Sequence, residues 1–413
     1  MDNVSLFEYV GADSEIGVHQ ATLGEGVSCR IVISANSSWN VINFRAGLIR
    51  TLINAGHEVV AAAPADEHSA RIADLGCRYV PLPIDRKGTS PHRDLVLFAR
   101  YVRLMRRERP HVYLGYTIKP NIYGSLAAHA CGVPTINTVS GLGTAFISDT
   151  WITRVARQLY RRAFARSHTV FFHNEDDLRL FVDTRLVAGD RAALVPGSGI
   201  DTSKFRPEKR AVNRNGFCFL LVARLLWDKG IGEFVEAARR VRREVPEARF
   251  QLLGPIDSNN RSAVDRASLD RWASEGLVEY LGVRDDVRSA IAAADCVVLP
   301  SYREGLPRSL LEAAAMAKPL IATDVPGCRQ LVKHDENGLL CRVRDDAHLS
   351  ERMLALIAMS PERREAMGRA GRAKAEQEFD EAAVISRYLA TVAEAATLET
   401  APEVQGTESR VTP

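Results

Sequence analysis

The sequence lacks several things, and each absence removes a class of protein. It has no uninterrupted apolar run of about 18 residues, so no segment reads as a membrane-spanning helix. It has no Cys-x-x-Cys. Its seven cysteines (29, 77, 131, 218, 296, 328 and 341) are odd in number and lie mostly in apolar surroundings. That argues against a disulfide frame or zinc site and for the reduced core of a cytosolic protein. No Gly-x-Gly-x-x-Gly follows a strand-like segment, which disfavours a dehydrogenase. No Asp-x-Asp occurs, so a common carboxylate frame for a catalytic divalent metal is missing. The ten histidines form no metal cluster, and His129 and His168 sit in apolar runs and read as core residues. There is no repeat of period 20–50, and no apolar stretch behind a basic start as in a secretory leader.

What is present is an ordinary globular composition, 46% apolar and 25% charged, in 413 residues. That length predicts two domains. Residues 1–27 are polar and aperiodic and read as a loose leader. From Cys29 onward, short apolar segments alternate with helical spacing. The expected strands are 29–34, 57–63, 78–81, 111–114, 133–139 and 168–172, with a helix over 42–55. Near-continuous apolar strands between helices indicate a parallel sheet covered on both faces. The Gly-, Ser- and Pro-rich stretch 196–207 reads as a linker. The rhythm then restarts with strands at 217–223, 248–253, 277–281, 295–299, 319–322 and 338–341. The reading is therefore α/β, two Rossmann-like doubly wound parallel-sheet domains facing across a cleft, over 28–200 and 201–380. A helix over 381–397 is expected to pack back on the first domain, and 398–413 reads as a loose tail. In such sheets ligands bind beyond the carboxyl ends of the strands.

Two loops there carry chemistry. Arg224 and Lys229 lie five apart after the first strand of the second domain. A planar guanidinium and an ammonium so placed suit a diphosphate, although two surface cations would read the same way. Residues 301–312 follow another strand and open a helix with Pro307 near its first turn, where proline is preorganised. Glu304 and Glu312 stand eight apart in this frame, too far apart on a helix to act as an adjacent carboxylate pair. They suit different parts of one ligand, since a carboxylate accepts from vicinal sugar hydroxyls. Backbone N–H groups of the Gly305–Ser309 turn offer partial positive charge to a phosphate. Glu312 lies within Leu310-Leu311-Glu312-Ala313-Ala314-Ala315, an apolar run that predicts a partnered, inward-facing carboxylate.

Arg-x4-Lys, then Glu-x7-Glu with Glu-Gly-Leu-Pro, resembles the retaining glycosyltransferases of family 4, which have the GT-B fold. The likeness extends over residues 29–397 and includes Leu253-Gly254-Pro255 and Leu281-Gly282-Val283-Arg284. It implies that Arg224 and Lys229 hold the donor diphosphate. It implies that Glu304 meets the donor sugar and Glu312 the ribose, with Gly305, Leu306 and Pro307 beside them. Gly254 and Arg284 are then near the base. The first domain resembles bacterial enzymes building capsule, O-antigen or exopolysaccharide. The residues that carry this are 43–47, 117–124, 137–143 and 196–201, with Asn43, Arg45 and Lys119 as candidates on the acceptor side. The chain departs from the wider family in two places. Ala35–Asn43 lacks paired glycines, and Gly115-Tyr116-Thr117 stands where many members have a histidine.

The implied activity is transfer of a hexose or N-acetylhexosamine from a nucleoside-diphosphate sugar, UDP-linked by expectation, to a polyprenyl-diphosphate-linked glycan. Retention of configuration is likewise implied by the resemblance. With cations in place of an Asp-x-Asp frame, no metal and no cofactor is expected. A sugar-nucleotide 2-epimerase and a catalytically silent sugar-nucleotide-binding subunit share the fold and remain alternatives.

Net charge is +3, but residues 1–206 carry 24 Lys+Arg against 19 Asp+Glu, and the remainder 30 against 32. Two segments of the first domain, 98–109 and 151–166, hold five arginines each. In the second, Trp151, Ile152, Val155, Leu159 and Phe164 roughly share a stripe. Such a helix suits the anionic inner leaflet, making a peripheral membrane enzyme, although the stripe could equally face the sheet. No recognition motif points to nucleic acid.

Overall fold

The computed structural model describes residues 28–85, 90–142, 151–208, 216–257, 260 and 262–397. The leader 1–27, the tail 398–413, Gly143 and the side chain of Ile152 lie outside the described residues.

The first sheet is formed by β1 (Arg30–Ser34), β2 (Glu58–Ala63), β3 (Arg78–Pro81), β4 (Val112–Tyr116), β5 (Thr135–Val139), β6 (Thr169–Phe172) and β7 (Ala192–Leu194). Its order is β3-β2-β1-β4-β5-β6-β7, parallel throughout. The helices between are α1 (Ser38–Asn54), α2 (Ala70–Ala73), α3 (Pro91–Glu108), α4 (Ser125–Ala130), α5 (Trp151–Phe164) and α6 (Glu175–Asp183). The second sheet has order β10-β9-β8-β11-β12-β13, also parallel. Its strands and helices alternate as β8 (Cys218–Val222), α7 (Ile231–Glu244), β9 (Arg249–Leu253), α8 (Arg266–Ser274), β10 (Glu279–Tyr280), α9 (Arg288–Ala293), β11 (Cys296–Leu299), α10 (Arg308–Ala315), β12 (Leu320–Thr323), α11 (Cys328–Leu331) and β13 (Gly338–Cys341). Then come α12 (Asp346–Ala358), α13 (Pro361–Glu378) and α14 (Glu381–Thr397).

The strands are buried on both faces, which is why they read as unbroken apolar runs. β1 beside β4, and β8 beside β11, are the points where strand order reverses. Crevices open there at the carboxyl ends.

Three expectations need correction. α1 starts at Ser38 rather than Ile42, because the Ser37 hydroxyl accepts the Asn40 N–H at 3.1 Å and caps the helix. β7 escapes the pattern because it is three half-buried residues. On α5 the buried face is Thr153, Tyr160, Ala163 and Phe164, whereas Trp151 and Val155 are exposed. A turn of 3.6 residues puts 153, 160 and 164 on one side and 151 and 155 on another.

The chain crosses between the sheets twice, side by side. The Ile200 N–H donates to Phe379 O at 2.8 Å, and the Glu381 N–H to Ile200 O at 3.2 Å. After this second crossing, α14 packs Val384, Tyr388 and Val392 into the core of the first domain. Tyr388 lies against Phe171 at 4.9 Å, and its hydroxyl meets Thr138 Oγ1 at 2.6 Å.

Candidate active site

The loop after β8 holds Arg224 and Lys229, and the loop after β11 holds Glu304. These strands are neighbours, so residues 75 apart meet: Lys229 Nζ lies 2.5 Å from Glu304 Oε1. Both side chains are mostly buried, at 18% and 13% exposure. Two loop contacts fix the pair. The Tyr302 N–H donates to Asp228 O at 2.9 Å, and the Ser301 hydroxyl to the same carbonyl at 3.2 Å. Gly230 permits this meeting: its φ is +72°, and a Cβ there would stand 2.1 Å from Pro300 O.

Arg224 is more open, 55% exposed, with Asp257 at 3.6 Å. Gly254 lets its loop close: at φ +144°, a Cβ would meet Ala223 O at 1.9 Å. Arg284 is exposed and reaches Ser289 Oγ at 3.4 Å. It stands in the loop after β10, the edge strand of the second sheet.

Pro307 is the residue before α10, so the free N–H groups of that helix start beside Gly305. Glu312 sits one turn into α10, where burial raises its carboxyl above the ordinary range. It has the partner its apolar surroundings called for: Arg308 Nε donates to Glu312 Oε1 at 3.0 Å. Arg308 was not among the sequence candidates, although its i,i+4 spacing from Glu312 was a usable signal. It also donates to Ser198 Oγ at 3.1 Å and lies 5.5 Å from the Phe44 ring, tying α10 to the linker and to α1.

Removing that guanidinium strands a buried carboxylate. Arg308→Met is expected to cost about 2 kcal/mol at neutral pH, below the usual loss for a broken buried pair because Arg308 is partly exposed. The sign follows from the raised carboxyl. Stability from such a group is complete below the ordinary glutamate range and is lost as pH rises through the folded value. The difference in Tm between wild type and Arg308→Met should therefore narrow on acidification from pH 8 to pH 5. Thermal melts across that range check it, and a constant gap refutes it.

The first domain approaches this loop closely. Gly305 faces Ser140 and Gly141, and a Cβ on Gly305 would stand 1.9 Å from Ser140 O. The Asn174 side-chain amide donates to Gly305 O at 2.8 Å. Arg303 pairs with the fully buried carboxylate of Asp177, whose own pKa burial raises while Arg303 opposes the rise. Leu306 packs on Gly197. Sequence reasoning singled out neither Arg303 nor Asp177. Their separation of 126 residues hides the pairing, though Asn174 and Asp177 form a visible helix start.

In the first domain, Lys119 is held by Asp94 of α3 at 2.6 Å, a partly buried pair that Tyr123 also joins at 2.9 Å. The Asn43 amide turns back to Trp39 O at 2.9 Å. Arg45 is buried, with its guanidinium 3.7 Å from the Tyr116 ring centre. Among the described residues no three His, Cys, Asp or Glu side chains group as a metal site. The cysteines are free, and among the described residues no helix is long and apolar enough to cross a membrane.

Two parallel α/β domains, closed on each other over a cation–carboxylate pair at the β8/β11 switch point, make up the GT-B fold. A model described as "Glycosyl transferase 4-like domain" matches residues 43–197, and "Glycosyl transferases group 1" matches 216–359. The chain belongs to this glycosyltransferase family. It is 28% identical over 376 residues to N,N'-diacetylbacillosaminyl-diphospho-undecaprenol alpha-1,3-N-acetylgalactosaminyltransferase of Campylobacter jejuni, across 87% of this chain and 97% of that one. It is 28% identical over 270 residues to the UDP-Gal:alpha-D-GlcNAc-diphosphoundecaprenol alpha-1,3-galactosyltransferase of Escherichia coli, across 61% and 68%. Its fold matches Anabaena HepE, solved with UDP and glucose, at TM-score 0.75 and 18% identity, across 89% and 100% of the two chains. It also matches a Thermosynechococcus elongatus sucrose-phosphate synthase at 0.74 and 16%, across 90% and 100%.

Proposed function

We propose that the protein moves a hexose or N-acetylhexosamine from a UDP-sugar to a polyprenyl-diphosphate-linked glycan, with retention and without a metal. The Lys229–Glu304 pair carries the reading. It sits at the β8/β11 switch point beside the start of α10, within a chain that aligns almost end to end with a diphospho-undecaprenol sugar transferase.

The chemistry needs negative charge to be accepted as the bond from the anomeric carbon to the diphosphate oxygen breaks. Arg224, Lys229 and the free N–H groups at α10 supply fixed positive charge at that place. Such preorganised stabilisation is commonly the largest catalytic contribution. Glu304 then turns its carboxylate to the donor sugar and Glu312 to the ribose. The acceptor hydroxyl forms the new bond on the face the diphosphate leaves, and its proton departs with the UDP. An epimerase would need acid and base groups around the sugar, whereas the cations here serve a departing diphosphate.

The membrane is the second partner in this reading. α3, α4 and α5 pack side by side on one face of the first sheet. Their outer surface exposes Trp151, Val155, Leu95 and Val96 among arginines. Basic side chains near an anionic leaflet contribute about 1 kcal/mol each.

One assay tests both partners. Purified enzyme is given UDP-, GDP- and ADP-sugars with a short-chain polyprenyl-diphosphate glycan in anionic vesicles. UDP-sugars are expected to support transfer, and Arg157/Arg161/Arg162→Glu is expected to lower the vesicle-floating fraction several-fold. Transfer from GDP-sugars alone refutes the donor, and unchanged flotation refutes the membrane contact.

A further inference from the structure

The first domain has its own switch point, between β1 and β4, and a buried cation stands at it. Arg45 is 3% exposed, and no described carboxylate pairs with it. Its Nε has no acceptor. Burying a guanidinium without a counter-ion is costly, and a cation–π contact such as that with Tyr116 returns only part of that cost. Helical spacing already put Arg45 on the apolar face of α1, with Val41, Leu48, Ile49 and Leu52.

The groups around it share the same deficit. Thr117 Oγ1 and His173 Nε2 are buried and without partners, and the buried Tyr116 hydroxyl has only the hydroxyl of Tyr388 beside it. They arrive from the ends of different strands, β4 for Tyr116 and Thr117 and β6 for His173. Thr117 holds φ +68°, a left-handed conformation that is rare for a β-branched residue and clusters at functional sites. Burial and the nearby Arg45 lower His173 to about 3, so its ring is neutral and Nε2 is able to carry a proton outward. Each of these groups can donate a hydrogen bond. A sugar, whose hydroxyls both donate and accept, would not need four donors with no carboxylate among them. An oxyanion would.

We propose that Arg45, Tyr116, Thr117 and His173 form a second anion site that receives a phosphate of the acceptor. His173 is followed by Asn174, which bonds Gly305 O next to Glu304, so one residue ties the site to the loop that carries Glu304. A phosphate held there sits beside an acceptor only a sugar or so long, with the attacking hydroxyl turned to Glu304. Assigning the phosphate to the acceptor rests on the transferase reading; the anion site itself does not.

The probe is inorganic pyrophosphate, added to full-length protein saturated with UDP so that the donor cradle is occupied. Binding is followed by calorimetry and by the His173 ring signals in histidine-labelled protein. Wild type is expected to bind one further pyrophosphate and to shift His173. Arg45→Met should weaken this at least tenfold, with UDP affinity unchanged, and raise the acceptor KM more than it lowers kcat. Thr117→Val keeps the β-branched shape and removes only the hydroxyl; it should weaken pyrophosphate several-fold even if Arg45→Met fails to fold. The site is overturned if UDP-loaded wild type takes no pyrophosphate, if pyrophosphate only displaces UDP and leaves His173 unmoved, or if both folded variants bind as wild type does. If UDP itself does not bind while pyrophosphate shifts His173, the donor reading falls and the anion site stands.

Discussion

Replacing Glu304 with glutamine is expected to lower kcat by about 10² to 10³, the usual cost of losing one preorganised charge at a reacting centre. The carboxylate has two duties. It holds the ammonium of Lys229 at 2.5 Å, and in the proposed reaction it meets the donor sugar. Glutamine keeps the shape and an acceptor oxygen but loses the charge, so Lys229 is no longer drawn to one place. Lys229→Ala should show a similar fall in kcat, because the departing diphosphate loses its fixed ammonium. The double variant should be little worse than either single one, since both belong to one unit. Steady-state kinetics with melting curves for each variant decide this. A fall of less than about tenfold in both folded variants removes the pair from the chemistry.

Gly305→Ala should be as severe for a different reason. Gly305 is not at positive φ, so its own backbone accepts alanine. The obstacle is the other domain: the new Cβ would stand 1.9 Å from Ser140 O and 3.0 Å from Gly141 Cα. Backbone on both sides cannot yield as a side-chain tip would, so the domains must part. The Asn174 bond to Gly305 O and the Arg303–Asp177 pair are strained or lost with them. Transfer should fall about 10²-fold, the penalty when reacting groups are held an ångström out of place. UDP affinity should fall much less than transfer, because Arg224, Lys229 and the N–H groups of α10 keep their places in the second domain. Small-angle scattering should report a wider particle. Normal transfer, or a loss of UDP binding equal to the loss of transfer, contradicts the reading of Gly305 as the contact that lets the domains close.

The sequence carried the fold well where physics is local. Buried parallel strands must be apolar on both faces, so β1, β2 and β11 were visible as runs. Arg224, Lys229, Glu304 and Glu312 were visible because they break such rhythm at strand ends. What was hidden depends on distance. Lys229 meets Glu304, and Arg303 meets Asp177, only after two loops or two domains come together. Gly305 read as a turn residue, but its lack of a side chain serves a neighbour 165 residues away. On α5 the sequence grouped Trp151, Val155 and Phe164 in one stripe, whereas the fold separates them: the sheet takes Tyr160 and Phe164 and leaves Trp151 and Val155 exposed. Arg45 lay in plain helical register with the core of α1, and its burial without a counter-ion became visible only in three dimensions.

The proposed reaction is sugar transfer by fixed protein charge with retained configuration. The most direct test is to incubate the enzyme with an α-linked UDP-sugar and a polyprenyl-diphosphate glycan in excess EDTA, and to read the new linkage by NMR. An α-linked product formed at an undiminished rate is the expected result. A β-linked product, a reaction that stops until a divalent metal is restored, or an epimerised nucleotide sugar formed without acceptor would contradict it.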